Sequence, residues 1–516
     1  MFDLGTSFLA SVERDPTAEA IVDGALRLTY AEWYRHVSAL VARLDEAGLK
    51  PGDRLVSVLQ NRWEAATLHW ACQLAGVVIV PVNWRSKPDE IDFFLDNAEA
   101  RALVFEPVSA EAAAQATRAA GLWRLDAAGI GGLLAADGEP KPATPSAAAD
   151  AFSLMLYTSG TTAKPKGVPR RHLAERAGAL AHVAQNAYLR GERTLGVMPL
   201  YHTMGVRSLL AMSLIGGTFT CLPRFDAEKA LTLIAAERVT CLYLVPTLYH
   251  DLLHHPAFAA TDCSSVRRLG FAGASMTDGL LKALKAAFEP ELFVNHYGSS
   301  EIYTFTIEQD APRKPGSAGR AALNQRIRVV RLGAGSVDEV AATGEEGEII
   351  ATLAGDEAFE GYWKRPEADA KALRDGWYFT GDSGYLDAEG DLFVTGRVDD
   401  MIITGGENVS PVEIESCLSL HPGVLEVAVV GLPDERWGRI VTAFVKRCCR
   451  DEAPVDAGVL DHHCRDSGLA NFKRPRRYVF VEEIPKSPVG KLLRRLLVAG
   501  EYRPEPAEAE PTHPSE

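Results

Sequence analysis

Two apolar runs with a helix between them constrain this chain more than any other feature. Leu55 to Leu59 is largely apolar, Trp63 to Gly76 has helical length, and Val77 to Val82 carries no polar side chain. A strand without polar alternation is buried on both faces, and a helix joining two such strands is the crossover of a parallel sheet. The fold class is therefore expected to be α/β. Just upstream, Thr29-Tyr30-Ala31-Glu32 reads as a capping box. Trp33, Val37, Leu40, Val41 and Leu44 follow at helical spacing, and Gly48 closes that helix before the Pro51-Gly52 turn.

At 516 residues and 47% hydrophobic, the chain is too long for one ordinary domain. Its net charge of −15 disfavours a general nucleic-acid binder, for which a basic surface is expected. Eight cysteines without a C-x-x-C pair point to a reducing compartment and to neither a zinc site nor a disulfide framework. His462, His463 and Cys464 are adjacent, but neighbouring helical residues point in different directions, so a surface helix end is the expectation there. The N-terminus lacks the pattern of a secretory signal. No apolar run reaches the roughly 18–20 residues that span a bilayer. A cytoplasmic location without a membrane partner is the expectation.

A Pro/Ala-rich polar stretch near 135–150 reads as a linker between subdomains of a large α/β region, residues 1–398. The character changes after Gly396-Arg397. Ser410-Pro411-Val412-Glu413 reads as a second capping box with proline at the first helical position. Helix, strand (Val427–Gly431), strand (Val441–Lys446), helix and strand (Arg477–Val481) then predict a small α+β C-terminal domain over 399–501. The Pro/Glu-rich end, 502–516, is expected to be disordered.

The most informative stretch follows the apolar run Phe152 to Leu156. Between Thr158 and Gly167 it crowds four hydroxyls, two glycines and two lysines: Thr158, Ser159, Gly160, Thr161, Thr162, Ala163, Lys164, Pro165, Lys166, Gly167. Glycines admit backbone N–H groups close to an anion, hydroxyls add donors, and lysine adds charge. This is a polyphosphate cradle by chemistry. It is not the G-x-x-x-x-G-K-[ST] loop, because Pro165 opposes immediate helix. A plain polar loop between strands has the same composition.

That loop resembles the signature of the adenylate-forming superfamily, which holds acyl- and aryl-CoA ligases, luciferases and peptide-synthetase adenylation domains. Four more motifs occur in the family's order. They are Tyr297-Gly298-Ser299-Ser300-Glu301, Tyr378-Phe379-Thr380-Gly381-Asp382, Gly396-Arg397-Val398-Asp399-Asp400 through Gly405-Gly406-Glu407-Asn408, and Pro485-Lys486-Ser487-Pro488-Val489-Gly490-Lys491. Any one carboxylate or lysine among them would ordinarily be a solvated surface group. Five motifs in order are not explained that way. The resemblance departs at Ala163, where the family usually has glycine.

The resemblance implies an AMP-binding N-terminal domain, 1–398, and a mobile C-terminal lid, 399–501, hinged at Asp399. It implies a reaction of ATP with a carboxylic acid to an acyl-adenylate and pyrophosphate, then transfer of the acyl group to coenzyme A. Nucleotide contacts fall on Thr158, Ser159, Gly160, Thr161, Thr162, Lys166, Gly298, Ser299, Ser300, Asp382 and Arg397. Glu301 would hold Mg²⁺, and Lys491 would reach the reacting carboxylate and α-phosphate. His202 would line or gate the junction of acid pocket and thiol tunnel. The nearest branch resembles the 4-chlorobenzoate type of aryl-CoA ligase. From it, CoA contacts fall on Arg85, Gly406, Trp437, Phe472, Arg474 and Arg476. The acid pocket falls on His202, Thr203, Met204, Tyr243, Ala272, Gly273, His296, Tyr303 and Thr304.

Aromatic members of that pocket suggest a flat ring, and its hydroxyls with His296 suggest a polar substituent. A benzoate- or hydroxycinnamate-like acid is the expectation, with a halobenzoate or a medium-chain or alicyclic acid open. Loading of a carrier-protein thiol, a light-emitting oxidase and a silent metabolite-binding protein are the rival classes. The resemblance allows a homodimer, and the sequence does not fix the oligomeric state.

Overall fold

The computed structural model describes residues 1–134, 139–158, 165–398, 401–404, 407–448, 455–486 and 492–505. The N-terminal elements form where the spacing puts them. Thr29 caps the helix Tyr30–Glu46 in a reciprocal box with Glu32. Strand Arg54–Val58, helix Trp63–Ala75 and strand Val78–Pro81 make the parallel unit, with Leu55 opposite Ile79. All four residues of Val78–Pro81 are buried, as a strand covered on both faces requires.

This unit sits in a six-stranded sheet. Its order is Trp123–Asp126, Ala102–Phe105, Arg54–Val58, Val78–Pro81, Phe152–Thr158 and Lys166–Arg171. The last two strands are antiparallel, with Thr158 directly opposite Lys166. These two strands are the arms of a hairpin. The stretch near 135–150 does not separate two sheets: the strand after it, Phe152–Thr158, returns beside Val78–Pro81. Its described part is packed, with the Tyr34 hydroxyl donating to the Ala143 carbonyl at 2.6 Å.

A second, larger sheet carries a parallel run in the order Thr218–Cys221, Arg193–Gly196, Cys241–Leu244, Arg268–Phe271, Leu292–Tyr297. Glu19–Asp23 joins one end in parallel with Thr218–Cys221. Antiparallel strands, among them Trp377–Leu386 and Leu392–Arg397, extend the other end. Between the sheets lies an apolar core. Phe8 stacks on Trp70 at 4.6 Å and meets Trp33 edge-on at 5.2 Å. Helix Thr203–Ile215 adds Leu209 and Leu210 to the same cluster. Full burial of each such side chain stabilises by roughly 1.5–3 kcal/mol.

The C-terminal strands Val424–Asp434 and Gly438–Arg447 form an antiparallel pair, and Arg477–Phe480 adds in parallel to the second. Helices Pro411–Ser419 and Ala457–Asp466 complete this α+β unit. Two expectations are corrected here. Ser410 occupies the N-cap position before Pro411, but it makes no side-chain cap bond. Its hydroxyl donates instead to the Thr395 carbonyl, and Glu413 pairs with Lys473. Tertiary partners outcompete the reciprocal cap. The chain end is also ordered further than its composition suggests. Tyr502 packs edge-on against Phe444 at 4.9 Å and Glu505 pairs with Arg447 at 2.7 Å. The rest of that tail, 506–516, lies outside the described residues.

The adjacent histidines and cysteine diverge: His462 meets Asp466 at 3.3 Å, His463 meets the Cys417 carbonyl at 3.0 Å, and Cys464 is buried. Among the described residues no helix is long and apolar enough to cross a membrane.

Candidate active site

The parallel strands of the larger sheet all point the same way, so their carboxyl ends share one edge. In open α/β sheets that edge is where ligands bind. Leu292–Tyr297 delivers Gly298, Ser299, Ser300 and Glu301 there. Arg193–Gly196 delivers the segment ending at His202, and Arg268–Phe271 delivers Ala272 and Gly273. Gly298 is required by close approach: an added Cβ would lie 2.0 Å from the Tyr303 carbonyl oxygen.

Glu301 is 6% exposed and accepts a hydrogen bond from the Tyr362 hydroxyl at 2.7 Å. The Lys166 ammonium sits over the Tyr362 ring at 4.1 Å. Tyr362 thus lies between the end of the hairpin and the carboxylate. Burial lowers the Lys166 pKa, opposed by the charge of Glu301. The hydroxyl of Thr158, opposite Lys166, is buried with no hydrogen-bond partner among the described residues. The Ser299 hydroxyl accepts from the Glu301 and Ile302 amides at 3.2 and 3.3 Å, which folds this loop on itself.

Asp382 and Arg397 lie opposite each other on neighbouring antiparallel strands and pair at 3.0 Å. The Tyr297 hydroxyl donates to the other Asp382 oxygen at 2.6 Å. Burial, then the Asp382 charge, hold the Tyr297 phenol far above its ordinary pKa, so it stays a donor. Lys166 feels the charges of both Glu301 and Arg397, which joins the two clusters in one field.

His202 caps helix Thr203–Ile215, its Nδ1 accepting from the Met204 amide at 3.4 Å. Thr203 donates to the Ser300 hydroxyl at 3.2 Å, tying the helix start to the carboxylate loop. Met204, Tyr243, Ala272, His296, Tyr303 and Thr304 are buried, and Gly273 is exposed. Tyr243 and His296 have ring centroids 5.0 Å apart. Tyr303 is held between two buried guanidiniums, Arg170 at 4.1 Å and Arg207 at 4.4 Å, and its hydroxyl donates to Glu175 at 2.8 Å. Arg207 reaches Thr304 at 3.2 Å.

The residues expected to meet CoA fall into two places. Arg476 stacks on Trp437 at 4.2 Å. Arg474 and Arg476 line a cavity of about 400 Å³ together with Asp461 and Asn471. Phe472, 38% exposed, follows Asn471 in the chain. Arg85 lies elsewhere, stacked on Trp84 at 3.8 Å and close enough to Tyr201 for its charge to act on that phenol. Ser159, Gly160, Thr161, Thr162, Ala163, Asp399, Gly406 and Lys491 lie outside the described residues.

Tyr362, Arg170, Arg207, His182 and Asn186 belong to no quoted motif, and Tyr297 carried no role. Only Tyr297 had a signal, its place at the start of a motif. The others reach the site from distant segments.

The end of the parallel strand Leu292–Tyr297 sets the buried Glu301 carboxylate near the Lys166 hairpin of the other sheet and Tyr297 against the Asp382–Arg397 pair of the antiparallel extension. Family models for AMP-binding enzyme and for AMP-binding enzyme C-terminal domain match residues 8–363 and 413–491. The chain is 34% identical to 4-chlorobenzoate–CoA ligase of Arthrobacter sp over 493 residues, 94% of this chain and 93% of that one. It is 35% identical to feruloyl-CoA synthase of Amycolatopsis sp over 492 residues, 95% and 97% of the two chains. An ATP-bound crystal structure of MatB from Rhodopseudomonas palustris superposes with a TM-score of 0.86 at 30% identity, covering 97% of this chain and 99% of that one. The chain belongs to the AMP-binding enzyme family. It is an AMP-forming acid–thiol ligase of the acyl- and aryl-CoA synthetase kind, using ATP and CoA.

Proposed function

We propose that this enzyme activates an aromatic carboxylic acid, benzoate- or hydroxycinnamate-like, as its acyl-adenylate and transfers the acyl group to CoA. The observation that carries the reading is the meeting of Glu301–Tyr362–Lys166 with Asp382–Tyr297–Arg397 around the end of strand Leu292–Tyr297. A carboxylate is a poor electrophile and repels a triphosphate, so the site must neutralise charge and orient the acid in line with the α-phosphate.

Lys166, the Thr158 hydroxyl, unpartnered among the described residues, and the hydroxyls of residues 159–162 would hold phosphate oxygens. Ser299, Ser300 and the Gly298 backbone would add contacts to the nucleotide. Asp382, oriented by Tyr297 and Arg397, would accept from the two ribose hydroxyls, and Arg397 would add a contact. Mg²⁺ fits the donor set: Tyr362 orients one Glu301 oxygen, and a hard oxygen ligand beside phosphates suits that ion. When bound it would neutralise phosphate charge. The acid is already ionised, so no general base is required. Lys491 would stabilise charge as the acid attacks phosphorus. His202, at the helix start beside Ser300, would line the way from acid to thiol.

After pyrophosphate leaves, the C-terminal unit would turn about Asp399 over residues 399–501, withdrawing Lys491. Gly406 and the Trp437, Phe472, Arg474 and Arg476 face would then meet CoA, with Arg85 on the opposite side. Two aromatics and three guanidiniums suit adenine stacking and phosphate pairing. Trp437→Ala is expected to raise KM for CoA about tenfold while leaving acid-dependent pyrophosphate exchange unchanged. Steady-state CoA titration beside the exchange assay checks this, and a parallel loss of exchange would contradict it. Cysteine usage supports a cytoplasmic location.

Acid-dependent ATP–pyrophosphate exchange over benzoates, cinnamates and aliphatic acids, followed by CoA addition, tests the whole reading. Silence across the panel would end it, and exchange with aliphatic acids alone would end the aromatic part. In the same assay Lys491→Ala should abolish most exchange yet largely spare thioester formation from supplied acyl-adenylate. Equal loss of both would remove Lys491 from its assigned role.

A further inference from the structure

Beside Tyr243, Asn186, His182 and His296 form a polar cluster that no motif marks. Asn186, which ends helix His172–Gln185, sits between two imidazoles. Its Nδ2 donates to the His182 carbonyl at 2.8 Å and lies 3.1 Å from His182 Nδ1. Its Oδ1 lies 3.1 Å from His296 Nε2. A carbonyl oxygen only accepts, so the amide orientation is fixed. His182 Nδ1 therefore faces an N–H and must accept, which leaves that ring's hydrogen on Nε2. His296 Nε2 faces an oxygen and must donate, which leaves a lone pair on Nδ1.

Burial and nearby charge keep both rings neutral. Desolvation, then Arg207, push His296 down to about 3. Desolvation, then His296 and Arg207, hold His182 well below its ordinary value. The result is one donor, His182 Nε2, and one acceptor, His296 Nδ1. Both are buried and lack a hydrogen-bond partner among the described residues. The two rings are 5.0 Å apart and tilted by 35°. Tyr243 packs on them at 4.7 and 5.0 Å. Gly270 makes room: an added Cβ would lie 3.0 Å from Tyr243 Cδ2 and 3.3 Å from Asn186 Oδ1.

We propose that His182 and His296 recognise a phenolic hydroxyl on the ring of the acid, with Asn186 as the residue that positions both tautomers. The hydroxyl oxygen accepts from His182 Nε2, and its hydrogen goes to His296 Nδ1. A hydroxyl supplies both complements from one atom. A halogen supplies no donor, and a second carboxylate would set lone pairs against the His296 lone pair. The inference rests on the aromatic-acid reading and narrows it.

The test is acid-dependent pyrophosphate exchange with hydroxybenzoates and hydroxycinnamates, each against its parent and halogenated analogue. A site built to bond a hydroxyl rejects the analogue lacking it by about a hundredfold or more in kcat/KM. Asn186→Asp keeps an acceptor for His296 but forces a hydrogen onto His182 Nδ1, so His182 Nε2 becomes an acceptor. His296→Phe removes the lone pair. Either change should bring the hydroxyl-to-parent ratio to within about threefold. A wild-type ratio near one, as a trapped water would give, overturns the inference and leaves the aromatic reading standing. So does a ratio that both variants preserve. Silence with every aromatic acid overturns the two together. Should a variant fail to fold, the wild-type ratio decides alone.

Discussion

Glu301→Gln is expected to lower acid-dependent pyrophosphate exchange by about 10²–10³-fold with little loss of stability. The substitution keeps the volume and the oxygen that accepts from Tyr362 at 2.7 Å. The Glu301 backbone carbonyl also keeps its bond from Arg170 at 2.8 Å, so the loop stays anchored. Only the negative charge goes. That charge is what a magnesium–triphosphate complex would use, and it is 6% exposed, where water screens it little. Exchange measured across a Mg²⁺ series at saturating ATP checks this. The variant's dependence should move to higher Mg²⁺, and a loss under about fivefold at all concentrations would displace Glu301 from the metal role.

The second large effect is on folding. Arg170→Met should destabilise the protein by about 3–5 kcal/mol, because it strands a buried charge. The Arg170 and Glu175 side chains are 0% and 1% exposed and pair at 2.8 Å. Arg170 also donates to the backbone carbonyls of Glu301 and Glu357, joining the carboxylate loop to the 357–363 segment. Removing it leaves Glu175 with the Tyr303 hydroxyl as its remaining close donor, at 2.8 Å. Urea unfolding of variant and wild type measures the loss. The double variant Arg170→Met with Glu175→Leu should recover part of it, since no lone charge remains. A single-variant loss below about 1 kcal/mol would show that water reaches this network.

The two predictions probe different layers of the protein. Glu301 lies in a motif, and its expected role was read from residue type and order. Arg170 lies just past the hairpin in Lys166–Arg171, and nothing in its local sequence marks it as fully buried. The same division runs through the fold. Helix Tyr30–Glu46, the 54–81 parallel unit and the C-terminal strand pair were read from periodicity and caps, because those signals are local. The linker near 135–150, the cap at Ser410 and the start of the tail were misread for one reason. Composition and capping patterns describe a segment alone, whereas Ala143, Ser410 and Tyr502 answer to distant partners, Tyr34, Thr395 and Phe444.

By itself, then, the sequence determined the α/β class, the five ordered motifs and, through them, the chemistry of an adenylate-forming ligase. Only the tertiary structure decided that Tyr362 bridges Lys166 and Glu301, that Tyr297 and Arg397 each take one oxygen of Asp382, and that Asn186 sets two histidines in opposite tautomers. Motifs are runs along the chain, so the chain shows them. A hydrogen bond between residues 61, 85 or 110 positions apart exists only once the sheets have brought the segments together.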